Sequence, residues 1–541
     1  MPQRDPQLES VPDQEWTRGA LGALLLVTIL GVAIGWASRG AALTVYGDDS
    51  IYLTLSRSLA ERHYRDEYLV GSPPHAQYPP GMPLWLLLVR LLVGGSLDGA
   101  LAANLLLIAL TAFLLADSVR RLASVWLGVA AAAVLLFNPA IFALAGQLRS
   151  EIPFLAWCSL ALWLSLIGGE RSRRWYPTLT IAAASAAFLT RSAGIALVPA
   201  VAWALLLRRQ WRPLLVNGTA AAAVIVGWFA YTRWAAQHTV GHTYAADLAS
   251  SAPMSEPVRF FSHALGNATV YFSRLAAVQF SIPDIHGQPL DNLVLGLLLT
   301  IPAAVGVWTL RRRWAAMGMF LLLSTGILLV FSWPVSRLLT VLLPWLVAAL
   351  LIGSATIAAA AGSRRGGSIA IGLGVVLAGF GLAGQVHAAE REQRCRSSAP
   401  FVDPRCYQEQ DRSYVAAAAF IRDNLPKQAV IAASKPSIIY LLTGRRTLPL
   451  ELFGTTSIDR LLPPAGPVAA ILLSRLIPYE PTGVGPRLLQ QCAALTLLAR
   501  FPSGTLLLGP RHSNGGPSVD ACGALTEYLR KTPANVDDDP R

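Results

Sequence analysis

Two adjacent aspartates, Asp48 and Asp49, stand in the stretch YGDDSIYL, just after the first long apolar run of a chain poor in charge. A carboxylate there has three possible duties: it can take a proton as a general base, cap a helix, or ligate a cation. Beyond the pair, Ile51, Leu55 and Leu59 recur at four-residue spacing, with Arg57, Glu61 and Arg62 elsewhere around the turn. That pattern predicts an amphipathic helix lying on a membrane surface. Asp48 or Asp49 then falls at the N-cap and accepts a hydrogen bond from the first free amides. Capping uses one carboxylate, and two adjacent ones repel, so the second is left for catalysis or for a ligand.

Further charged and polar residues stand at the ends of apolar runs. His75 and Tyr78 precede the stiff turn of HAQYPPGMPLWLLL, within reach of the cavity that Asp49 would face; a solvated loop histidine is the plainer reading of His75. Arg149 and Glu151 lie at the mouth of a helix in GQLRSEIPFL. Charges this close to hydrocarbon are costly unless paired or facing water, so Arg149 either pairs with Glu151 or an aspartate, or serves a site. Arg191 in FLTRSAGIAL and Arg337 in SWPVSRLLTVLLPW belong to no basic cluster. They either snorkel to headgroups or hold a lipid phosphate through paired guanidinium donors.

The elements that must position these residues are membrane helices. The chain has 541 residues, 54% hydrophobic and 14% charged, with a mean hydropathy of +0.48. Its apolar runs exceed those of soluble core helices, which makes it a polytopic membrane protein. The net charge of +13 is spread over short clusters between apolar runs, Arg120-Arg121, Arg171 to Arg174, Arg208 to Arg212, Arg311 to Arg313 and Arg364-Arg365. This is a topology signal and not the single basic stripe of a nucleic-acid binder.

The predicted spans are 20–37, 97–118, 124–142, 152–168, 177–190, 193–207, 214–234, 289–309, 314–332, 338–361 and 368–386, eleven in all. With the N-terminus inside, each basic cluster falls on the cytoplasmic side. The expected organisation is a disordered cytoplasmic tail over 1–19, a transmembrane module over 20–386 with outside loops at 39–82 and 235–288, and an outside domain over 387–541. Spans 177–190 and 193–207 are short and can also be read as one bent hairpin.

The tail alternates an amphipathic helix (SYVAAAAFIRDNLP), short β-prone runs (QAVIAAS, PVAAILLS) and a second helix ending near Gly444, a pattern that predicts a small α/β domain. Four of the five cysteines, Cys395, Cys406, Cys492 and Cys522, lie in it, and Cys158 lies in an apolar run. In an outside domain an even number predicts two disulfides, of which Cys395–Cys406 and Cys492–Cys522 is the favoured pairing; four free thiols is the alternative.

Taken in order, GDDSIYL…SLAERHY, YPPGMPLWLLL, RSEIPFL, FLTRSAG and SRLL…LLPW resemble the GT-C superfamily of integral membrane glycosyltransferases, close to the protein O-mannosyltransferase and aminoarabinose transferase type. The likeness spans roughly residues 20 to 350. It implies a mainly α fold, a helical bundle of GT-C type with the small α/β extracytoplasmic domain at its C-terminus, in the plasma membrane of a bacterium. It also implies transfer of a sugar, with inversion, from a polyprenyl-phosphate donor to a hydroxyl or amine of an acceptor lipid, glycan or protein on the outer face. Asp48 or Asp49 would be the general base, Arg191 and Arg337 would hold the departing phosphate, and Glu151 would orient the acceptor or join an aspartate around a divalent cation. The superfamily often has Asp-Glu or a single aspartate after the first span, so the pair here leaves the identity of the base open.

A transporter or flippase of lipid-linked glycans is the competing reading. It would place ionisable residues and broken helices near mid-membrane. Here the unexplained charges gather toward one face, which favours an enzyme with a cavity at the outer surface.

Overall fold

The apolar runs form helices because they join strong helix formers with the obligation to satisfy every backbone group where water is absent. The computed structural model describes residues 15–39, 43–45, 47–170, 173, 175–238, 256–282, 289–331, 336–392, 407, 409–454, 458–462, 466–477, 479–511 and 520–530. Seven of its helices are long and apolar enough to cross a membrane: Arg18–Ala37, Leu97–Leu122, Glu151–Glu170, Trp211–Ala236, Asn292–Leu310, Leu343–Ala360 and Gly366–Glu390. An eighth span results if Val125–Leu136 and Pro139–Ala145, bent by 57° across their break, count as one. Length and composition of the described helices thus give seven or eight spans and do not confirm the expected eleven. The helices Gly81–Val93, Ser192–Leu207 and Ala315–Val330 are apolar but shorter than the ~20 residues a full crossing needs.

At one end of the bundle, Asp117 binds three helical segments together. Its carboxylate accepts hydrogen bonds from Arg120 Nε at 2.9 Å, Arg121 Nε at 2.7 Å, Trp163 Nε1 at 2.9 Å and Trp16 Nε1 at 3.3 Å. Trp16 precedes the first helix and Trp163 lies on Glu151–Glu170, so one buried carboxylate orders three elements around it. The opposite end carries the first loop and the α/β domain. The loop folds as the helix Asp49–Ala60, a turn, and the helix Gly81–Val93. The second expected loop, 235–288, contains the helix Pro257–Arg274, whose apolar Val258, Phe261 and Leu265 are exposed; 239–255 and 283–288 lie outside the described residues.

The C-terminal domain is a five-stranded mixed sheet with strands β1 (Val430–Ala433), β2 (Thr447–Pro449), β3 (Val468–Leu473), β4 (Leu495–Arg500) and β5 (Leu506–Pro510), in the order β2-β1-β3-β5-β4. β1 runs parallel to β2 and β3, and β5 pairs antiparallel with β3 and β4. Alternation along β3 divides two cores. Val468, Ile471 and Leu473 pack with Phe453, Leu488, Leu525 and Tyr528, while Ala470 and Leu472 face the helices Glu409–Asn424 and Pro436–Thr443. That second core is continuous with Leu43, Val45, Tyr52, Tyr78 and Met82 of the first loop region.

Backbone bonds join the loop to the sheet. Leu69 bridges Thr447 in parallel, Thr447 N donates to Tyr68 O at 2.9 Å, and Val70 N donates to Thr447 O at 3.1 Å. Arg446 Nη1 donates to Glu67 O, to Leu69 O and to Ser72 Oγ. The open edge of β2 is thereby covered by residues nearly four hundred positions earlier. Cys492 and Cys522 form a disulfide and Cys158 is free and buried. Cys395 and Cys406 lie outside the described residues, as does most of the N-terminal tail.

Candidate active site

The two aspartates diverge at once. Asp48 occupies the N-cap position of Asp49–Ala60, yet its side chain makes no capping bond, contrary to the expected role. Better partners draw it away: Tyr78 Oη donates to Oδ1 at 2.9 Å and Arg337 Nη1 lies 3.5 Å from Oδ2. Asp49, with a fully buried side chain, turns back onto the preceding loop. Its Oδ2 accepts from Thr44 N at 2.9 Å and Thr44 Oγ1 at 2.8 Å, and its Oδ1 accepts from Arg149 Nε at 3.3 Å. Arg149 Nη2 also donates to Thr44 Oγ1 at 3.2 Å. Gly47 is required here, since a Cβ at that position would stand 2.2 Å from Thr44 Oγ1 and 2.8 Å from Arg149 Nη2.

Electrostatics separates the pair in the same sense. Burial pushes both carboxyls up. At Asp48 the fields of Arg337, Lys435 and Arg149, with the Tyr78 hydrogen bond, overcome burial and hold the carboxyl below its ordinary range. At Asp49 Arg149 and Thr44 only partly offset burial, and the carboxyl stays above that range. Asp48 retains 19% side-chain exposure and Asp49 none, so the carboxylate that can be reached is Asp48.

Glu151 is the first residue of Glu151–Glu170, where the free amides of a helix start favour a carboxylate. It is buried, with Arg191 Nη1 2.9 Å from its Oε1 and Arg337 Nη1 3.7 Å away. Arg191 Nη1 also donates to Ser150 Oγ at 3.1 Å, and Tyr52 Oη donates to the same hydroxyl at 3.2 Å. Arg149 thus pairs with Asp49, while Glu151 goes to Arg191. Asp48 and Glu151 share one guanidinium nitrogen of Arg337, which sits where a bridging cation would have to sit. Among the described residues no group of three or more His, Cys, Asp or Glu side chains is arranged to hold a metal ion. Among the described residues Asp48 and Glu151, with Arg337 between them, do not make a site for a bridging divalent cation.

Tyr78 is fixed from several directions. Its ring lies 5.0 Å from that of Tyr52 and stacks at 5.5 Å on His75, while its carbonyl accepts from Tyr64 Oη at 2.7 Å. Its amide donates to His75 Nε2 at 2.8 Å, so the His75 proton is on Nδ1, facing Asp66 Oδ1 at 2.7 Å. His75 is therefore buried behind Tyr78 with both nitrogens engaged. It braces the tyrosine and does not point into the cavity. Of the eight residues singled out from the sequence, Asp48, Asp49, Tyr78, Arg149, Glu151, Arg191 and Arg337 form one connected network, with His75 one layer behind.

Thr44, Tyr52, Ser150 and Lys435 escaped the sequence reading. Tyr52 had a signal, since it stands one helical turn after Asp48. Lys435 had none, because it belongs to the C-terminal domain and meets Asp48 only through tertiary docking.

Residues 77–233 match the family described as dolichyl-phosphate-mannose-protein mannosyltransferase. Two solved structures of ArnT from Cupriavidus metallidurans are similar over the whole molecule. The one bound to undecaprenyl phosphate aligns with a TM-score of 0.51 and 17% identity, over 93% of this chain and 100% of that one. The apo form aligns with a TM-score of 0.53 and 16% identity, over 92% and 100%. No curated protein sequence matches the chain. The fold is that of the ArnT structures, a helical bundle carrying a small C-terminal sheet domain.

Proposed function

We propose that the chain is a membrane glycosyltransferase that moves a sugar from a polyprenyl-phosphate donor to an acceptor hydroxyl or amine at the outer face of the plasma membrane, with inversion. The observation that carries this reading is Asp48: an ionised, partly exposed carboxylate held between the Tyr78 hydroxyl and the Arg337 guanidinium, at the mouth of a GT-C bundle. The matched mannosyltransferase family and the undecaprenyl phosphate in one ArnT structure support the donor class.

In the proposed reaction Asp48 takes the acceptor's proton as its oxygen or nitrogen bonds to the anomeric carbon. The bond from that carbon to the phosphate oxygen breaks, and the electron pair leaves with polyprenyl phosphate. Attack from the side opposite the phosphate inverts the centre. Arg337 stands at 3.5 and 3.7 Å from two carboxylates, looser than the 2.9 Å pair of Arg191 with Glu151, and keeps 32% side-chain exposure. In this reading its partly exposed guanidinium turns toward the phosphate and stabilises the charge that develops there. That movement takes positive charge away from Asp48, making it a stronger base when donor is bound. Glu151, Arg191 and Ser150 hold the floor of the site in register.

The test is release of free polyprenyl phosphate from a panel of polyprenyl-phosphate sugars by purified protein supplied with acceptor hydroxyls and amines. Release from one sugar, lost in Asp48→Asn, is the expected result. No release from any sugar, together with movement of the same lipids across liposomes, would transfer the reading to a flippase.

A further inference from the structure

Arg337 reaches the site from a helix of only five residues, Ser336–Thr340. A helix this short has little internal bonding and depends on its surroundings for its position. Contacts to Ser336, the residue before the arginine, supply that position. The Ser336 carbonyl accepts from Gln279 Nε2 at 3.1 Å and from Thr340 Oγ1 at 3.1 Å, and the Ser336 hydroxyl accepts from Arg274 Nη1 at 3.2 Å.

Gln279 closes the π-turn Leu275–Gln279, which follows the helix Pro257–Arg274. Its main chain is anchored separately from its side chain: Gln279 O accepts from Asn138 Nδ2 at 2.5 Å. Asn138 stands at the 57° break between Val125–Leu136 and Pro139–Ala145, where its Oδ1 also accepts from Ile141 N at 3.1 Å. Asn138 and Gln279 are both buried. A chain of contacts therefore runs from the break in the bundle through Asn138 and Gln279 to the backbone beneath Arg337, whose Nη1 stands between Asp48 and Glu151.

The Gln279 amide is costly where it lies, since no described residue donates to its buried Oε1. A methionine would fill nearly the same space without that penalty, so what the glutamine adds beyond packing is the bond to Ser336. We propose that Gln279 is a positioning residue for the sugar transfer, holding Ser336 so that Arg337 swings from a fixed base between the two carboxylates and the donor phosphate. The arginine tip keeps 32% side-chain exposure while its origin is set, and a small displacement of that origin is carried to the guanidinium. The proposal rests on the glycosyltransferase reading and deepens it: Gln279 acts through Arg337 and not on the substrate.

The test measures binding of undecaprenyl phosphate and of undecaprenol, the neutral alcohol, to purified full-length protein in detergent. Wild type, Gln279→Met, Arg337→Gln and the double variant are compared, with a cooperative thermal melt as the check of fold. The Asn138 contact goes to the main chain of residue 279 and survives the substitution. The preference for phosphate over alcohol is expected to fall about tenfold in Arg337→Gln, about fivefold in Gln279→Met, and no further in the double variant than in Arg337→Gln, with undecaprenol binding unchanged throughout. If Gln279→Met does not fold, Gln279→Asn, which keeps the amide and withdraws it by one methylene, carries the same comparison. An undiminished preference in the Gln279 variant, an equal loss for both lipids, or a full further loss in the Arg337→Gln background overturns the positioning role alone. No preference for phosphate in wild type, or one that Arg337→Gln leaves intact, overturns the donor reading of Arg337 and this one together.

Discussion

Asp48 and Asp49 are consecutive residues with opposite surroundings: Asp48 meets Tyr78 and Arg337 at the cavity, and Asp49 is sealed against Thr44 and Arg149. The helix start between them turns one side chain outward and the other back into the loop. One carboxylate thereby keeps part of its surface exposed, and the other fixes the loop that presents it.

Asp48→Asn and Asp49→Asn should both give folded protein. Asp48→Asn should lower transfer by at least about a hundredfold, as expected for loss of a general base. Asp49→Asn should keep activity within about tenfold, because an amide oxygen still accepts from Thr44. Sugar-transfer rates of the two variants side by side decide this, and equal losses would remove the distinction.

The same pair predicts opposite pH behaviour. The Asp48 carboxyl lies below its ordinary value, so its stabilising effect is present above that value and is lost as pH falls through the lowered one. The acidic limb of kcat/KM should accordingly lie below the usual carboxylate range and move up in Arg337→Gln. The Asp49 carboxyl lies above its ordinary value, so its contribution is most favourable in acid and declines as pH rises toward the raised value. Melting temperatures against pH should show that decline in wild type and not in Asp49→Asn.

Arg149→Ala leaves Asp49 buried with only Thr44 as partner and should cost about 3 kcal/mol. The double variant Arg149→Ala with Asp49→Asn should recover a large part of it, because the uncompensated charge is gone. Denaturation of the four proteins of this cycle measures the coupling.

Reducing the Cys492–Cys522 disulfide, which closes a separation of 30 residues, should remove ~3–4 kcal/mol from the sheet domain. The expected sign is a lower melting temperature and a loss of transfer on warming, reversed by reoxidation.

The site was legible where charge met hydrocarbon. Arg149, Glu151, Arg191 and Arg337 stood out because ionised groups at span ends need a reason, and the fold brings all four to the aspartates. The helix Asp49–Ala60 was legible from Ile51, Leu55 and Leu59, and the tail from its alternation of helix and strand. The capping role failed because Tyr78 and Arg337, distant in sequence, compete for Asp48. His75, plausible as a cavity residue or a solvated one, is neither, since Asp66 and the Tyr78 amide enclose it. The span count was not confirmed where Arg191 and the break before Pro139 interrupt apolar runs, and where short helices carry the composition of full crossings. Strands β4 and β5 are leucine-rich and read equally well as helix, which is the usual ambiguity of short apolar runs.

The bond between Ser50 and Ser437 spans 387 residues, and that between Tyr68 and Thr447 spans 379. Among the described helices long enough to cross a membrane, all but Arg18–Ala37 are synthesised between the two halves of these contacts. The first loop therefore meets its partner only after the sheet domain has been made, and a chain that stops before that domain holds the membrane module without these contacts.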